Sequence, residues 1–307
     1  MEGIKRNGII VVSLHFIGMA FMIPVTVVFF NKQYEKVDHS FTQMFKNKFV
    51  VLTLFLAFCS IMSDLFLIPK LYFGDFGFDP VLSNLSYNMC EFMSALFMLS
   101  ALGVHIVILY LRTQALVQTD AMSTLRKIFK LIIVLFVGLS VPVVLLQLRL
   151  FYTRPDMITQ DLNDVYFVIS GLYGISEGLI DIIATFWFWK HAQRAQEFFI
   201  GRDNHEHVIA RRGVYICVCS FIGTIAYAVR CVSQNKDVLT RSWAITVVIL
   251  VFYAITTLWM LMKLELDQNQ QPLEDSSVKS DLNLGNQFRA ERLVDPTHLT
   301  DLSKVAE

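Results

Sequence analysis

The chain has 307 residues, of which 55% are hydrophobic and 17% are charged, whereas a soluble domain is about a quarter charged. Its formal net charge is zero, which excludes a bulk electrostatic attraction to nucleic acid or to acidic lipid. The 26 phenylalanines lie mostly in long apolar runs, a distribution that suits a lipid-facing surface better than a globular core. The composition therefore predicts an integral, multi-pass membrane protein with the lipid bilayer as its surroundings.

Seven apolar runs are each long enough to cross a bilayer as a helix. They cover about 8–30, 49–69, 87–111, 128–148, 165–190, 213–231 and 242–262. The first run is too long for the core of a signal peptide and no small-residue cleavage pattern follows it, so we interpret it as a retained span. No internal repeat is visible. The sequence predicts an all-α membrane protein with one seven-transmembrane helix bundle over residues 1–263.

The tail over residues 264–307 is polar and is expected to be largely disordered, because it cannot bury enough apolar surface to fold alone. A short amphipathic helix within 282–293, lying on a membrane or a partner, is the alternative for part of it.

The orientation follows from Lys and Arg in the six loops, numbered here in chain order. Loops one, three and five carry more of these residues than loops two, four and six. The positive-inside rule then places the N-terminus outside and the tail in the cytoplasm, although Lys5 and Arg6 argue locally the other way. Asn84 begins an acceptor pattern for N-glycosylation in loop two, which this orientation places outside but close to the third span. The expected location is the plasma membrane.

The fifth span carries two carboxylates in its middle, Glu177 and Asp181. Residues four apart share a helix face, and an acidic side chain at mid-membrane costs a few kcal/mol. That face must therefore look into the bundle or into a wet cavity. Gly171, Gly174 and Gly178 give the same span a stripe where another helix could approach closely. Glu177 is a candidate for the neutral form, since burial disfavours charge, and would then donate a hydrogen bond or take part in a proton pathway.

Ionisable residues within spans are functional candidates by default, because an apolar residue would cost less there. The set that we expect to form a ligand-binding site or a polar network is His15, Asp64, Glu91, His105, Glu177, Asp181 and Arg230. Arg230 is expected to pair with Asp64 or Glu91, either as a structural ion pair or as part of a ligand site.

No pattern in the chain indicates a metal, a cofactor or a catalytic residue. The five cysteines have no metal-ligand spacing, and His205 and His207, two apart, do not share a helix face. We expect His15 and His105 to be satisfied by neighbouring hydroxyl or carbonyl groups. No span has a central Lys for a Schiff base, and phosphate loops and nucleophile elbows are absent.

The layout over residues 8–263 resembles the G-protein-coupled receptor superfamily. Asp64, within Ser63-Asp64-Leu65, resembles the acidic motif in the second helix of rhodopsin-like receptors, which implies a role in a polar, sodium-binding network. Cys90 resembles the receptor cysteine that bridges to the second extracellular loop, but residues 149–164 contain no cysteine to pair with it. Arg112 ends the third span without the acidic neighbour of the Asp-Arg-Tyr motif, and the seventh span offers only Tyr253 of the Asn-Pro…Tyr pattern. The sixth span lacks the receptor Trp and Pro. The resemblance implies a divergent receptor and not an ordinary rhodopsin-like one.

The leading hypothesis is thus a receptor, not an enzyme, that binds a ligand in an outer-facing cavity and signals through loops three and five. A heterotrimeric G protein or another acidic cytoplasmic protein would bind basic residues near these loops. They are Arg112, Lys190, Arg194, Arg211 and Arg212. The alternatives are a proton-linked or small-solute transporter that uses Glu177 and Asp181, an intramembrane enzyme acting on lipid, and a scaffold. A cavity that opens outward would favour the receptor, a through-path the transporter, and a lateral opening the enzyme.

Overall fold

The computed structural model describes residues 2–75, 84–116, 123–152, 160–198, 204–233 and 238–270. These residues form α-helices and one π-helical segment, and no strand occurs among them. The helices are α1 (Glu2–Lys36), α2 (Phe41–Lys46), α3 (Lys48–Pro69, continued by the π-helical segment Lys70–Asp75), α4 (Asn84–Leu116), α5 (Ser123–Tyr152), α6 (Gln160–Phe198), α7 (Asn204–Ser233) and α8 (Val238–Gln270).

Seven helices in the described ranges, α1 and α3 to α8, are long and apolar enough to cross a membrane. They match the seven predicted runs in order, and the structure confirms an all-α bundle of the kind that membrane proteins form. Most of these helices extend past the ends of the apolar runs; α6, for example, continues to Phe198. The orientation of the bundle and the choice of membrane stay predictions.

The chain divides into two units, Met1–Lys263 and Leu264–Glu307. Of the second unit the structure describes residues 264–270, which end α8. The rest of the tail, with its predicted disorder and its possible amphipathic helix, lies outside the described residues. Every site discussed below belongs to the first unit.

The short helix α2 in loop one is a feature that the hydropathy pattern does not predict. Asp38 and His39 adopt positive φ angles of 49° and 59° in the turn that follows α1. The Ser40 hydroxyl oxygen then accepts a hydrogen bond from the Gln43 backbone N–H, as an N-cap residue does. Asn47 caps the start of α3 in the same way. Local capping therefore sets the entry into the second span.

Helices α6 and α7 pack closely where α6 carries glycine. A Cβ atom added to Gly174 would lie 3.1 Å from the Tyr227 ring, and one added to Gly178 would lie 3.2 Å from the Thr224 methyl group. These two glycines thus permit the close approach that the sequence predicts. Gly171 does not, because no heavy atom lies within 4 Å of its added Cβ.

Two further glycines bring helices together. Gly213 of α7 lies against the Phe188 ring of α6, where an added Cβ would come within 2.5 Å of Cγ. Gly18 of α1 lies against Tyr253 of α8 at a comparable 2.8 Å. Both approaches fix the position of an aromatic side chain, and Tyr253 belongs to the site described next.

The membrane-spanning helices differ in how much of their surface is buried within the bundle. In α8, 61% of the most apolar stretch is buried, whereas in α5 the corresponding share is 17%. Side chains of α5 such as Leu131 and Val134 are about two-thirds exposed, which suits contact with lipid. Helix α8 is therefore the inner helix of the bundle; it supplies two residues of the first polar cluster described below, and its Trp259 bonds to a residue of the second.

Candidate functional site

The first polar cluster, called here the His15 cluster, consists of His15, Asp64, Thr246 and Tyr253. His15, Asp64 and Thr246 each lie about two turns from the end of their span, and these ends are the start of α1, the end of α3 and the start of α8. All four side chains are buried. The cluster therefore joins three helices at one depth, nearer the end of the bundle where α1 begins.

Short hydrogen bonds connect the members of the His15 cluster. His15 Nδ1 lies 2.5 Å from Asp64 Oδ1, and His15 Nε2 lies 2.9 Å from Thr246 Oγ1. The Tyr253 hydroxyl group donates to Asp64 Oδ2 at 2.6 Å. Both oxygens of the carboxylate and both nitrogens of the imidazole thus have partners.

A count of hydrogens shows which nitrogen of His15 donates to Thr246. The Thr246 hydroxyl group has one hydrogen and donates it to the Ser242 carbonyl oxygen at 2.7 Å. His15 Nε2 must then be the donor to Thr246, while one proton lies between Nδ1 and Asp64 Oδ1. The cluster is a buried, fully hydrogen-bonded histidine–aspartate pair, completed by the Tyr253 hydroxyl group and held between helices.

The His15 cluster bears on one expectation and contains residues that the sequence analysis missed. Of the two partners expected for Arg230, Asp64 binds His15 and Tyr253 instead, whereas Glu91 interacts with Arg230 electrostatically. Thr246 was not anticipated, and Tyr253 was noted only for its likeness to a receptor motif. Their spacing of seven residues puts both on one face of α8, which is the signal that could have found them.

The second polar cluster, called here the Asp181 cluster, consists of His105, Glu177, Asp181 and Ser220. Both carboxylates of α6 are buried, Glu177 at 7% exposure and Asp181 at 1%, in agreement with the argument that their face avoids lipid. The Trp259 indole N–H of α8 donates to His105 Nδ1 at 3.2 Å. The ring proton of a neutral His105 is then on Nε2, which lies 3.9 Å from Asp181 Oδ1. That distance is too long for a hydrogen bond.

Several buried polar atoms of the Asp181 cluster have no hydrogen-bond partner in the described part of the chain. They are His105 Nε2, Asp181 Oδ1, Asp181 Oδ2 and Ser220 Oγ. Native proteins leave few buried polar groups unpaired, and each one costs about 1–3 kcal/mol. Their concentration at one place marks a position that water or the polar group of a ligand can satisfy.

A cavity of about 30 Å³ adjoins the Asp181 cluster. Four helices supply its wall: α4 (Met98, Leu99, Leu102), α6 (Tyr173, Glu177), α7 (Ser220, Gly223, Tyr227) and α8 (Val248, Val251, Phe252, Ile255). The wall is largely apolar, with a carboxylate and hydroxyl groups as its polar parts. The cavity has space for about two water molecules or one small polar group.

A larger groove of about 390 Å³ lies on the other side of Asp181, between α6 and α7. Asp181, Thr185 and Cys217 line it together with six large apolar side chains. These six, Ile182, Phe186, Trp189, Val218, Phe221 and Ile222, are 43–56% exposed. The groove therefore opens sideways from the bundle, toward the region that lipid occupies around membrane helices.

Glu91 lies in a charged group nearer the end of the bundle where α1 begins. Lys70 Nζ donates to Glu91 Oε1 at 2.7 Å, so the ion-pair partner of Glu91 is Lys70, which the sequence analysis did not propose. Arg230 and Arg241 act on Glu91 electrostatically. Arg230 also lies 6.0 Å from the centre of the Tyr227 ring.

The residues predicted to bind a cytoplasmic partner lie near the opposite end. The Arg112 guanidinium group is 3.9 Å from the centre of the Phe49 ring, which makes a cation–π contact within the bundle. Arg211 is exposed, while Lys190 and Arg212 are half-buried. The side chains of Arg194 and Asn84 lie outside the described residues. The predicted glycosylation of Asn84 therefore stays a prediction.

No group of three or more His, Cys, Asp and Glu side chains converges to hold a metal ion within the residues that the structure describes. No protein-family model, no curated protein and no solved structure matches this chain. The function must therefore be argued from the two clusters, the cavity and the groove.

Proposed function

We propose that this chain is a seven-helix membrane receptor whose ligand places a cationic or hydrogen-bond-donating group on the Asp181 cluster. The observation that carries the proposal is the set of unpartnered buried polar atoms on Asp181, His105 and Ser220, next to a cavity that four helices share. Binding sites in helix bundles have this composition, a largely apolar wall with a few converging polar groups.

The chemistry of the cluster defines the group that it would bind. Asp181 and Glu177 offer carboxylate oxygens, which accept hydrogen bonds, and Ser220 can accept one as well. A buried carboxylate is stable only when a donor or a positive charge satisfies it. An amine fits best, because it supplies several donors and a compensating charge, and an alcohol fits second.

A line of contacts leads from the cluster toward loop three. His105 accepts the hydrogen bond of Trp259, and the Trp259 ring makes an edge contact with Phe49 at 5.9 Å between ring centres. Phe49 in turn lies under Arg112 near the end of α4. A ligand that draws Asp181 toward or away from His105 would change the packing of Trp259, and through it the position of Arg112. This line supports a receptor that signals at the end of the bundle where loops three and five lie.

The experiment uses the full chain in lipid nanodiscs with butylamine, butanol and butyric acid as probes, and with a panel of heterotrimeric G proteins. We expect butylamine to raise the unfolding temperature, and to raise nucleotide exchange on one G protein. Asp181→Asn should weaken the butylamine effect about tenfold, as loss of a charged hydrogen-bond partner does. Gly138→Ala is the control, because nothing lies within 4 Å of that position. Equal effects of amine and acid, or exchange that does not depend on Asp181, would contradict the proposal.

A proton-linked carrier is the second candidate, favoured by ionisable groups at two depths of the bundle. The His15 cluster lies about two turns from one end, and Glu177, Asp181 and His105 lie further toward the other. Against this, carriers are commonly built from repeats with broken helices. Proteoliposomes that enclose a pH-sensitive dye distinguish the carrier from the receptor. An amine-dependent proton flux that Glu177→Gln abolishes would favour the carrier.

A groove that opens toward lipid is the feature that would favour an enzyme acting on lipid. The residues beside this groove, however, do not have the geometry of a catalytic site. His105 Nδ1 accepts from Trp259, and Nε2 faces a carboxylate and not a nucleophile. Ser220 is not hydrogen-bonded to His105, so the geometry of nucleophile, base and orienting acid does not arise here.

A further inference from the structure

The cavity and the groove are two spaces that share one wall. Glu177 lines the cavity and Asp181 lines the groove, and the two carboxylates lie one turn apart on α6. On α7, Ser220 lines the cavity while Phe221 and Cys217 line the groove. This turn of α6 and the facing turn of α7 thus line both the cavity inside the bundle and the groove on its lipid-facing surface.

The two spaces differ greatly in size. Ligand sites in proteins are usually about 300–1,000 Å³. The groove, at about 390 Å³, falls in this range, whereas the cavity of about 30 Å³ holds no more than a small polar group. A ligand whose polar group is bound at the Asp181 cluster must therefore keep the rest of its atoms elsewhere, and the groove is the adjoining space.

The polar content of the groove is concentrated on Asp181. Its side chain is 1% exposed and both of its oxygens are unpartnered within the described ranges. The other polar side chain that accepts and donates, Thr185, already donates to the Asp181 backbone carbonyl oxygen. The remaining wall is aliphatic and aromatic, apart from the Cys217 thiol. A long apolar surface with a single carboxyl group is complementary to a molecule with one polar head and one apolar chain.

We propose that the α6–α7 groove binds the apolar chain of a single-chain amphiphile with an amine or hydroxyl head, which reaches Asp181 sideways from the bilayer. The inference rests on the proposed function, because the head of the amphiphile is the amine or hydroxyl group that the proposed function places at the Asp181 cluster. The amphiphile keeps its chain among groove residues that lipid would otherwise cover, and its head supplies the donors that Asp181 lacks. The ligand class is thereby narrowed from any amine or alcohol to a membrane-soluble one.

The test uses the full chain in nanodiscs and a hexadecylamine that carries a photoreactive diazirine in its chain. The chain should label α6 and α7 peptides that line the groove, and unlabelled hexadecylamine should compete. Val218→Trp fills the groove and should lower labelling about tenfold, which corresponds to loss of the site. Ile225→Trp is the matched control, because Ile225 lies on the same helix with similar exposure, 51% against 48%, and does not line the groove.

The head is tested with a photoreactive hexadecane that lacks the amine. Asp181→Asn should lower labelling by the amine about tenfold and should not change labelling by the hydrocarbon. Equal labelling of the groove by both probes, with no dependence on Asp181, would show an ordinary lipid contact and would overturn the inference.

Butylamine separates failure of this inference from failure of the proposed function. Its effect on unfolding temperature should survive Val218→Trp, because a short amine needs the cluster and not the groove. If butylamine binds through Asp181 while the long-chain amine labels other helices, the groove assignment is wrong and the proposed function stands. If neither amine depends on Asp181, both are wrong.

Discussion

His15 and His105 are both buried histidines beside an aspartate, yet their surroundings give them different roles. Both nitrogens of His15 are within hydrogen-bond distance of a partner, and these bonds join α1, α3 and α8. His105 accepts from Trp259 and leaves Nε2 3.9 Å from Asp181. The His15 cluster is therefore built for stability, and the Asp181 cluster retains unsatisfied groups that a ligand can use.

The aspartate of the His15 cluster provides the first prediction. Asp64→Asn replaces a carboxyl group that bonds both His15 and Tyr253 by an amide with a single accepting oxygen, and breaking one side of a buried pair costs about 3–5 kcal/mol. Thermal unfolding in detergent should show this loss, and the double variant with His15→Gln should recover part of it. Ser100→Ala is the control, because that hydroxyl group donates within its own helix, to the Leu96 carbonyl oxygen. A loss of less than about 1 kcal/mol for Asp64→Asn would contradict the stabilising role of this pair.

The aspartate of the Asp181 cluster should respond in the opposite way. Asp181→Leu removes two buried acceptors that have no partner among the described residues, and each such atom costs about 1–3 kcal/mol. We expect the variant to be as stable as the wild-type chain or more stable, while it loses the response to butylamine. This is the trade between stability and function that binding sites show. A destabilisation comparable to that of Asp64→Asn would mean that Asp181 is a structural group.

At the scale of helices, aromatic side chains seated on glycine fix the packing. Phe188 lies over Gly213, and Tyr253 lies over Gly18. Tyr253 also donates to Asp64, so the contact between α1 and α8 places a hydrogen-bond donor of the His15 cluster. The close packing at Gly18 thus also positions the Tyr253 hydroxyl group for its hydrogen bond to Asp64.

Gly213→Ala tests this packing. The added Cβ would lie 2.5 Å from Phe188 Cγ, so α6 and α7 must separate or the ring must leave its position, at a cost of about 1–3 kcal/mol. Gly103→Ala adds the same methyl group on α4 where nothing lies within 4 Å, and should gain up to about 1 kcal/mol from helix propensity. Thermal unfolding of both variants measures the difference. Equal stability of the two would show that the close approach of α6 and α7 does not constrain the fold.

The sequence predicted the positions of the helices better than it predicted the hydrogen-bond partners of the polar residues on them. Hydropathy located the seven spans because length and apolar content alone decide whether a helix can cross a bilayer. The inward face of α6 followed from the cost of placing Glu177 and Asp181 in lipid. The partners of Asp64 did not follow, because they depend on how α1, α3 and α8 rotate against one another. A single sequence carries no direct signal for that rotation. For the same reason the sequence did not predict that the Asp181 oxygens have no hydrogen-bond partner among the described residues.

At the scale of the molecule, α8 links the two clusters. Thr246 and Tyr253 belong to the His15 cluster, and Trp259 donates to His105 of the Asp181 cluster. The three residues span almost four turns of one inner helix. The bonds of the His15 cluster hold one part of α8 to α1 and α3, so a ligand-driven change is expected mainly around Trp259. This arrangement would carry a signal to one end of the bundle while the other end stays fixed.

The direction of that signal depends on the orientation of the bundle, which the last prediction tests. The excess of Lys and Arg in loops one, three and five places the start of α7 in the cytoplasm and the start of α8 outside. Arg211 and Thr240 mark these two ends on exposed positions. With the five native cysteines changed to alanine, a membrane-impermeant maleimide should label Thr240→Cys in intact cells. It should label Arg211→Cys only after the cells are permeabilised. The reverse pattern would place the His15 cluster near the cytoplasm and the Trp259–Arg112 contacts outside, and loops three and five could then no longer bind a cytoplasmic protein.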